Sequence, residues 1–202
     1  VRCGEIVGIA AVSGNGQSEL VQALVGLKQT EAGEVRIMNR PMNGKPIDER
    51  RAAGMSYIPE DRQRVGLALD ATVAENASIG RMAEPEFHTG PFKRRSAMVR
   101  FARDLIQRYR IRVAGPLAAA NTMSGGNKQK LVVGRELSRA TPLVIVENPT
   151  WGVDIGAIDF IHGEIIRMRD QGHAILLLSP ELDEIMSLSD RILVMFEGRI
   201  VG

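Results

Sequence analysis

The stretch "IVGIAAVSGNGQSEL", residues 6–20, reads as an apolar strand, a glycine-rich turn and the start of a helix in direct succession. This order is typical of a loop that binds phosphate groups, whose usual pattern is G-x-x-x-x-G-K-[ST]. In that frame Gly16 and Ser18 are retained, but Ala11 stands in place of the first glycine and Gln17 in place of the lysine. The stretch therefore predicts a phosphate loop with altered chemistry.

Backbone donors remain in this loop without the lysine. Gly14 and Gly16 permit conformations that aim N–H groups inward, and the start of the helix adds the positive end of a dipole. A charge-assisted hydrogen bond contributes roughly 1.5–3 kcal/mol, and Gln17 can donate only a neutral one. We expect phosphate binding that is weakened rather than abolished, and a bare strand-to-helix turn is the alternative.

The rest of the chain alternates between strand and helix patterns. Apolar runs at 142–146, 174–178 and 191–195 are typical of parallel strands buried on both faces. Helical stripes of apolar residues lie between the runs, and the stripes end near Gly26 and Gly172. The stripe residues are Leu20, Val21, Leu24 and Val25 in the first helix, and Ile158, Ile161, Ile165 and Met168 in the second. These patterns predict an α/β fold with a mostly parallel sheet flanked by helices.

Two further stretches depart from this alternation. Residues 28–58 are typical of a short antiparallel ribbon, with its turn at Asn43 and Gly44. Residues 72–122 carry helical patterns and no strong strand, so they predict a helical insertion between the early and late parts of the sheet.

Composition places the chain among ordinary globular proteins. Of its 202 residues, 44% are apolar, and the net charge of +2 gives no indication of a nucleic-acid partner. No apolar run reaches the length of a membrane span and no signal peptide is visible, so we expect a membrane role only through a partner. The single cysteine, Cys3, excludes an internal disulfide bond and is expected to be a small buried residue.

A local run of positive charge interrupts this balance. Residues 93–112 hold eight Lys or Arg and one acid, Asp104. Such a run is most often a solvated helix face; attraction to a membrane protein or to anionic lipid is the alternative.

A second motif lies near the middle of the chain. In "TMSGGNKQKLVVGREL", residues 122–137, a Ser-Gly-Gly sequence opens a helix and so offers another anion site made of backbone N–H groups. "LVIVENPTWGVDIGA", residues 143–157, then gives a strand that ends in an acid, followed by Pro-Thr, Gly-Val-Asp and a helix.

At these residues the chain resembles the nucleotide-binding domain of ATP-binding-cassette (ABC) proteins, and the motifs cover nearly its whole length. The resemblance lies in the Walker A loop (11–18), the Gln loop (57–62), the signature (124–129), Walker B (143–148), the D-loop (150–157) and the closing segment with the switch position (176–202). The wording is most similar to the second cassette of a tandem importer ATPase for simple sugars or nucleosides. The resemblance implies the ABC ATPase fold, with a small antiparallel β region and a helical subdomain at about 72–122.

The resemblance also implies which residues bind. Nucleotide would contact Ala11, Ser13, Gly14, Asn15, Gly16, Gln17, Ser18, Glu19 and Glu60, with Mg²⁺ held by Ser18 and Glu147. The signature residues that would complete the ATP site of a partner cassette are Ser124, Gly125, Gly126, Asn127 and Gln129. Asp154 would act in the D-loop at the same interface, although it could simply cap the following helix.

The catalytic positions depart from the family. The Walker B aspartate is Glu147, the glutamate that polarises the attacking water is Asn148, and the switch histidine is Pro180. An amide cannot accept a proton, and a general base typically contributes 10²–10⁴-fold. With Gln17 and Glu60 also changed, the resemblance implies a site that holds ATP and Mg²⁺ but is impaired in hydrolysis.

We therefore expect an ATP-binding half of an importer, which donates an intact signature to another cassette on the same chain or in a homodimer. It would sit peripherally on the cytoplasmic face of the membrane, through transmembrane permease subunits, with no nucleic acid. Three alternatives remain. They are a silent interaction module that binds no nucleotide, a soluble ABC ATPase of DNA repair or translation, and unaided hydrolysis with Glu147 as the base. The family stacks adenine on an aromatic residue from an earlier strand, and residues 1–10 contain none, which implies that native N-terminal strands are missing.

Overall fold

The computed structural model describes all 202 residues, Val1–Gly202, and these form two compact units. The first unit consists of Val1–Glu60, Ala140–Pro149 and His162–Gly202. The second consists of Asp61–Arg139 and Thr150–Ile161. Each unit is therefore assembled from separate stretches of the chain.

Ten strands and seven α-helices make up the regular structure. The strands are β1 (Ile6–Ala10), β2 (Arg36–Ile37), β3 (Arg40–Pro41), β4 (Met55–Ile58), β5 (His88–Thr89), β6 (Phe92–Lys93), β7 (Leu143–Glu147), β8 (Ala174–Ser179), β9 (Arg191–Phe196) and β10 (Arg199–Ile200). The helices are α1 (Gln17–Val25), α2 (Ile47–Ala52), α3 (Val73–Ser78), α4 (Arg95–Arg108), α5 (Gly125–Leu137), α6 (Ile155–Asp170) and α7 (Leu182–Leu188). A π-helical turn at Arg62–Gly66 and a 3₁₀ turn at Ala120–Thr122 complete them.

A six-stranded sheet in the order β10-β9-β1-β8-β7-β4 forms the first unit. All neighbours pair in parallel except β10, which is antiparallel to β9. The apolar runs predicted as strands are confirmed to within one residue at their ends. The expectation that all are buried on both faces is wrong for β9, because Ile192, Val194 and Phe196 on one of its faces are 37%, 44% and 56% exposed. The sequence did not predict strand β4, because four residues are too few to show a pattern of alternating or continuous apolar residues.

Helix α1 packs its predicted stripe into the core of this unit. Val21 and Val25 are fully buried beside Val7 and Ile9 of β1. Gly26 ends the helix in a left-handed conformation, φ 88°, and a Cβ there would lie 2.7 Å from Nε of Arg50. That position therefore requires glycine.

Buried Arg50 closes the end of α1. Its guanidinium donates to the carbonyl oxygens of Ala23, Leu24 and Lys45 at 2.6–2.9 Å. These bonds satisfy acceptors that a helix leaves open at its C-terminus, so a buried cation replaces water there.

The predicted ribbon exists, but its turn lies elsewhere. Strands β2 and β3 are joined through Met38 and Asn39, both with positive φ (49° and 62°), and not through Asn43 and Gly44. The Asn43 side chain accepts from the Val35 amide at 2.8 Å and donates to Gly33 at 3.0 Å. Asn43 thus closes the base of the loop instead of forming its tip, which a local turn pattern does not reveal.

The second unit is mainly helical. Thr72 and Glu75 form a capping box at the start of α3, and α5 begins at the N-cap Ser124. The Tyr109 ring packs so closely on α5 that a Cβ on Gly134 would lie 2.8 Å from it. Within residues 72–122 lie α3, α4 and the 3₁₀ turn, together with the two-residue hairpin of β5 and β6, which the sequence did not predict.

Two smaller observations concern the surface. Cys3 is exposed, so the expectation that it is buried is wrong; it precedes the first core strand and has nothing packed over it. None of the helices is both long enough and apolar enough to cross a membrane.

Candidate functional site

A cavity of about 110 Å³ lies at the carboxyl ends of β1, β7 and β8 in the first unit. We call it the P-loop cavity. Its lining residues are Ser13, Gly14, Gln17, Ser18, Glu60, Glu147, Asn148, Leu178, Ser179 and Pro180. The fold therefore brings together four segments that the sequence placed far apart, namely the Walker A loop, the Gln loop, Walker B and the switch position.

Two glycines with left-handed backbone conformations shape the loop between β1 and α1. Gly14 and Gly16 have φ values of 91° and 97°, which an L-residue rarely adopts. Asn15 fixes the loop from outside, because its side-chain and main-chain oxygens accept from the amides of Glu197 and Gly198 at 2.9 Å. These bonds fix the backbone of the loop against the 197–198 turn.

Three predicted nucleotide contacts do not line the cavity. Asn15 points toward the 197–198 turn, Ala11 packs against the core, and Glu19 is exposed on the first turn of α1.

Gln17 turns back onto its own loop. Its Nε2 donates to the Val12 carbonyl at 2.8 Å, and its Oε1 accepts from the Asn15 amide at 2.9 Å. The side chain expected to donate to phosphate therefore bonds backbone groups of the loop and takes up one of its N–H donors. A lysine could not accept the Asn15 amide, because an ammonium has no acceptor.

Glu147 is buried and strongly engaged. It is 7% exposed and accepts from the Tyr57 hydroxyl at 2.7 Å. Burial raises the pKa of the Glu147 carboxyl, and the charge of Glu60 adds to this, against the lowering effect of the Tyr57 hydrogen bond. Burial also raises the pKa of the Tyr57 hydroxyl, so it stays a hydrogen-bond donor.

The two remaining positions predicted as catalytic, Asn148 and Pro180, carry side chains that cannot act as a general base. Asn148 has φ 44° and donates its amide to Leu178 at 2.8 Å. Asparagine tolerates this left-handed conformation better than most residues, so the backbone explains the residue type. Pro180 is exposed and brings no side-chain donor or acceptor. The lining thus holds two carboxylates, Glu60 and Glu147, and no cation.

A second pocket, of about 410 Å³, lies in the second unit at the start of α5. We call it the signature pocket. Its lining residues are Arg110, Arg112, Ser124, Gly126, Asn127, Lys130, Asp154, Gly156 and Ala157. Three cations and one carboxylate make this pocket net positive, the opposite sign to the P-loop cavity.

Asn127 organises the signature pocket. Its Nδ2 donates to the Ser124 hydroxyl at 2.8 Å, and its Oδ1 accepts from the Arg112 amide at 2.7 Å. The amide side chain therefore joins the signature serine to the loop that carries Arg112. Gln129, also predicted as a signature contact, is 1% exposed and lies outside the pocket. It follows Asn127 by two residues, about 200° around the helix, so it points inward.

Asp154 and Arg62 hold the D-loop against the signature. Oδ1 of Asp154 accepts from the Ala157 amide at 3.0 Å, so Asp154 caps α6, which is one of the two roles expected from the sequence. It also lies over Gly126, where a Cβ would be 2.6 Å from its Oδ2. Only a residue without a side chain fits beneath it.

Arg62 is the residue that sequence reasoning missed most clearly. It is 8% exposed, and its guanidinium donates to the carbonyls of Trp151 at 2.5 Å and Gly152 at 2.9 Å. A Cβ on Gly125 would lie 3.0 Å from its Nη2. Sequence offered only an arginine at the end of "YIPEDR", with no sign that it was buried. The pocket cations Arg110 and Arg112 lie in the basic run and could have been suspected from it.

The comparisons with known proteins agree with this arrangement. The family model described as "ABC transporter" matches residues 1–151. The chain is 43% identical to the guanosine import ATP-binding protein NupO of Bacillus subtilis and 41% identical to the nucleoside import ATP-binding protein NupA of Lactococcus lactis. It is 38% identical to a ribose import ATP-binding protein of Rubrobacter xylanophilus. Each match covers the whole chain but only 40% of the relative's length.

Solved structures show the same fold at lower identity. A nucleotide-free ATP-binding cassette from an ABC transporter matches all of this chain and 81% of its own, with a TM-score of 0.81 and 22% identity. A dimeric, post-hydrolysis ATP-binding cassette bound to ADP and phosphate matches 98% of this chain and 84% of its own, also with a TM-score of 0.81, at 20% identity. The predicted fold is confirmed.

The buried carboxyl gives a pH-dependent prediction. Because the folded pKa of Glu147 lies above its ordinary 4.5, its ionisation costs folding free energy at pH 7 and costs nothing well below pH 4.5. We expect Glu147→Gln to raise Tm by a few degrees at pH 7 without Mg²⁺, and the gain to shrink toward pH 4, since roughly 1 kcal/mol moves Tm by about 2–4 °C at this size. Calorimetric scans across pH measure it. The exposed-acid control Glu31→Gln should show no such trend, and an equal gain at both pH values would contradict the assignment.

The Arg62 contacts give a spectroscopic prediction. Trp151 is the only tryptophan and its side chain is 61% exposed, so its fluorescence reports on the D-loop turn alone. We expect Arg62→Met to release that turn and lower Trp151 anisotropy while the far-ultraviolet circular dichroism is retained. Arg62→Lys, which can satisfy one carbonyl, should lie in between. The exposed neighbour Arg64 serves as the control, since Arg64→Met should leave anisotropy unchanged; unchanged anisotropy in Arg62→Met would refute the role.

Proposed function

The chain belongs to the ABC transporter family, and from that premise we propose that it is an ATP-binding cassette of an importer for simple sugars or nucleosides. The named activities of its relatives, nucleoside, guanosine and ribose import, supply the substrate classes. The chain spans about 40% of the length of those relatives, which fits one cassette of a longer protein. Import by the whole protein is therefore part of the proposal.

The proposal assigns different tasks to the two pockets. The signature pocket would bind the phosphates of a nucleotide held by a second cassette. The observation that carries this is the opposite sign of charge in the two sites, since Arg110, Arg112 and Lys130 line the signature pocket and no cation lines the P-loop cavity. A triphosphate carries several negative charges, so it is attracted to the signature pocket and repelled by the lining of the P-loop cavity.

The P-loop cavity would hold nucleotide weakly and without hydrolysis. Its oxygen donors, the Ser18 hydroxyl and the Glu147 carboxylate, are of the hard type that Mg²⁺ prefers, and would hold that ion together with substrate phosphates. Bound there, Mg²⁺ would supply positive charge to the phosphates. The residues themselves offer a backbone cradle and no base in place, because Asn148 cannot accept a proton and Glu147 is tied to Tyr57.

The proposal also includes two partners for this chain, a second cassette and a membrane permease. A second cassette would face the signature pocket, as the dimeric cassette among the similar structures suggests, either on the same polypeptide or in a second copy. Transmembrane permease subunits would hold the pair peripherally at the cytoplasmic face of the membrane. The ATP that drives transport would be hydrolysed at the composite site completed by Ser124 and Gly126.

A second candidate has its own support. A cavity of about 110 Å³ is well below the roughly 300–1,000 Å³ of ordinary ligand pockets, and Gln17 occupies a backbone donor of the loop. Both features also suit an interaction module whose P-loop cavity binds no nucleotide. Signature donation is common to both candidates; nucleotide binding by this chain separates them.

The donated signature is tested in the longer protein that carries both cassettes. We expect Ser124→Ala to lower ATPase turnover about 100- to 1,000-fold, because removing one hydrogen-bond donor at the reacting group costs roughly 2.7–4 kcal/mol. Thr72→Ala is the matched control, since it removes the N-cap hydroxyl of another helix in the same unit. Thr72→Ala should lower the free energy of unfolding and leave ATPase turnover unchanged. Equal turnover in Ser124→Ala and the wild type would end the signature proposal.

The state of the P-loop cavity is tested by titrating Mg-ATP into this chain. We expect weak binding by the wild type and about 10- to 100-fold tighter binding by Gln17→Lys, which adds a charge-assisted hydrogen bond to phosphate. Gln17→Ala, which frees the Asn15 amide without adding charge, is the control and should gain much less. No binding by any of the three favours the interaction module. Tight binding by the wild type contradicts both candidates.

A further inference from the structure

Exposed positive charge covers one side of α4, and neither the P-loop cavity nor the signature pocket uses it. We call this surface the α4 basic face. Its members, all exposed, are Lys93, Arg94, Arg95, Arg100, Arg103 and Arg108. None of them takes part in an ion pair within the chain, and the same stretch has one acid, Asp104.

Local helix stability does not account for this charge. Arg94 is the N-cap of α4 and Arg95 its first residue, and the first turn has no acid, so two cations stand at the positive end of the helix dipole. Arg100 and Arg103 are three residues apart, where like charges repel across one helix face. Asp104, four residues from both Arg100 and Arg108, offsets part of this repulsion, and Glu75 of α3 attracts Lys93 and Arg95. The face keeps a net positive charge that an external anion can cover.

The shape of the face suits an extended anionic surface. The cations follow a helix of 14 residues, about 21 Å long, and Lys93 and Arg95 near its start also line a pocket of about 170 Å³. Phe92 lies in the hairpin directly before the helix, and its side chain is 75% exposed. Cations beside an exposed aromatic ring are the combination that binds the headgroup region of a membrane, since the ring enters the interface while the charges meet phosphates.

We propose that the α4 basic face docks on an anionic lipid surface, with phospholipid headgroups as its counter-charge. The inference stands apart from the proposed transport function, because it needs neither nucleotide nor a second cassette. The whole chain carries a net charge of only +2, so general attraction to anions is weak. The signature pocket is the other local cluster of cations, and changing Arg100 and Arg103 alone distinguishes the α4 basic face from it. An acidic segment of a protein is the competing occupant, and it is less favoured because it does not account for the exposed Phe92 ring beside the cations.

The test is flotation of this chain with vesicles of phosphatidylcholine alone or of phosphatidylcholine mixed equally with phosphatidylglycerol. We expect binding to the mixed vesicles only, and its loss in high salt. Arg100→Gln with Arg103→Gln should lower the partition coefficient about 30-fold, because each basic residue near such a surface contributes about a factor of five.

The matched control removes two exposed cations elsewhere. Lys28→Gln with Arg40→Gln makes the same change in net charge in the first unit, and it should change the partition coefficient less than about threefold. An equal loss in this control would overturn the proposal, as would equal binding to pure phosphatidylcholine. Displacement by millimolar inorganic phosphate would indicate a free-anion site instead. Retention on poly-glutamate without vesicle binding would indicate an acidic protein.

Discussion

The parallel register of β1, β8 and β7 is the constraint that creates the P-loop cavity. Ala10 pairs with Ser179 and Glu147 with Leu178, so the three strands end at the same level. The residues that follow them, including Asn148 and Pro180, are therefore brought together by main-chain hydrogen bonds and by the apolar side chains between the strands. A slip of one residue would turn every side chain of a strand to the opposite face, and burial on both faces opposes it. The site's geometry thus owes little to the polar residues that line it.

Because the strand register sets the geometry of the P-loop cavity, the side chains that line it can differ while its shape stays the same. Asn148 fits its left-handed backbone, Gln17 bonds its own loop, and Glu147 is held by the Tyr57 hydroxyl. Each of these three residues is locally compatible with the fold, but Gln17 lacks the positive charge, and Asn148 the basicity, that phosphate chemistry uses. A buried carboxylate with a raised pKa also weakens the folded state at neutral pH, which is the usual direction of conflict between a reactive site and stability.

The sequence predicted the elements whose signals are long and repetitive. The apolar runs, the α1 stripe with its Gly26 end, and the helical insertion were all found from periodicity. Strand β4 and the hairpin of β5 and β6 were missed because four and two residues are too few to show a period. The ribbon turn was misplaced because the Asn43 side chain binds backbone eight and ten residues away, which no local pattern encodes. The resemblance indicated which segments line the P-loop cavity, but the orientation of Gln17 and the burial of Arg62 depend on contacts with residues that no local pattern reveals.

The two pockets differ in the sign of their charge and in the bonds that support them. Glu60 and Glu147 line the P-loop cavity without a cation, so the lining alone repels a polyphosphate, and Mg²⁺ or another counter-ion would offset that repulsion. The signature pocket faces no such penalty, because its three cations outweigh Asp154 and its anion donors are backbone groups and a hydroxyl. Asn127 and Arg62 position those donors through bonds to main-chain atoms of the second unit alone. The bonds that support the signature pocket thus include no residue that lines the P-loop cavity, so substitutions at Gln17 or Glu147 remove none of them.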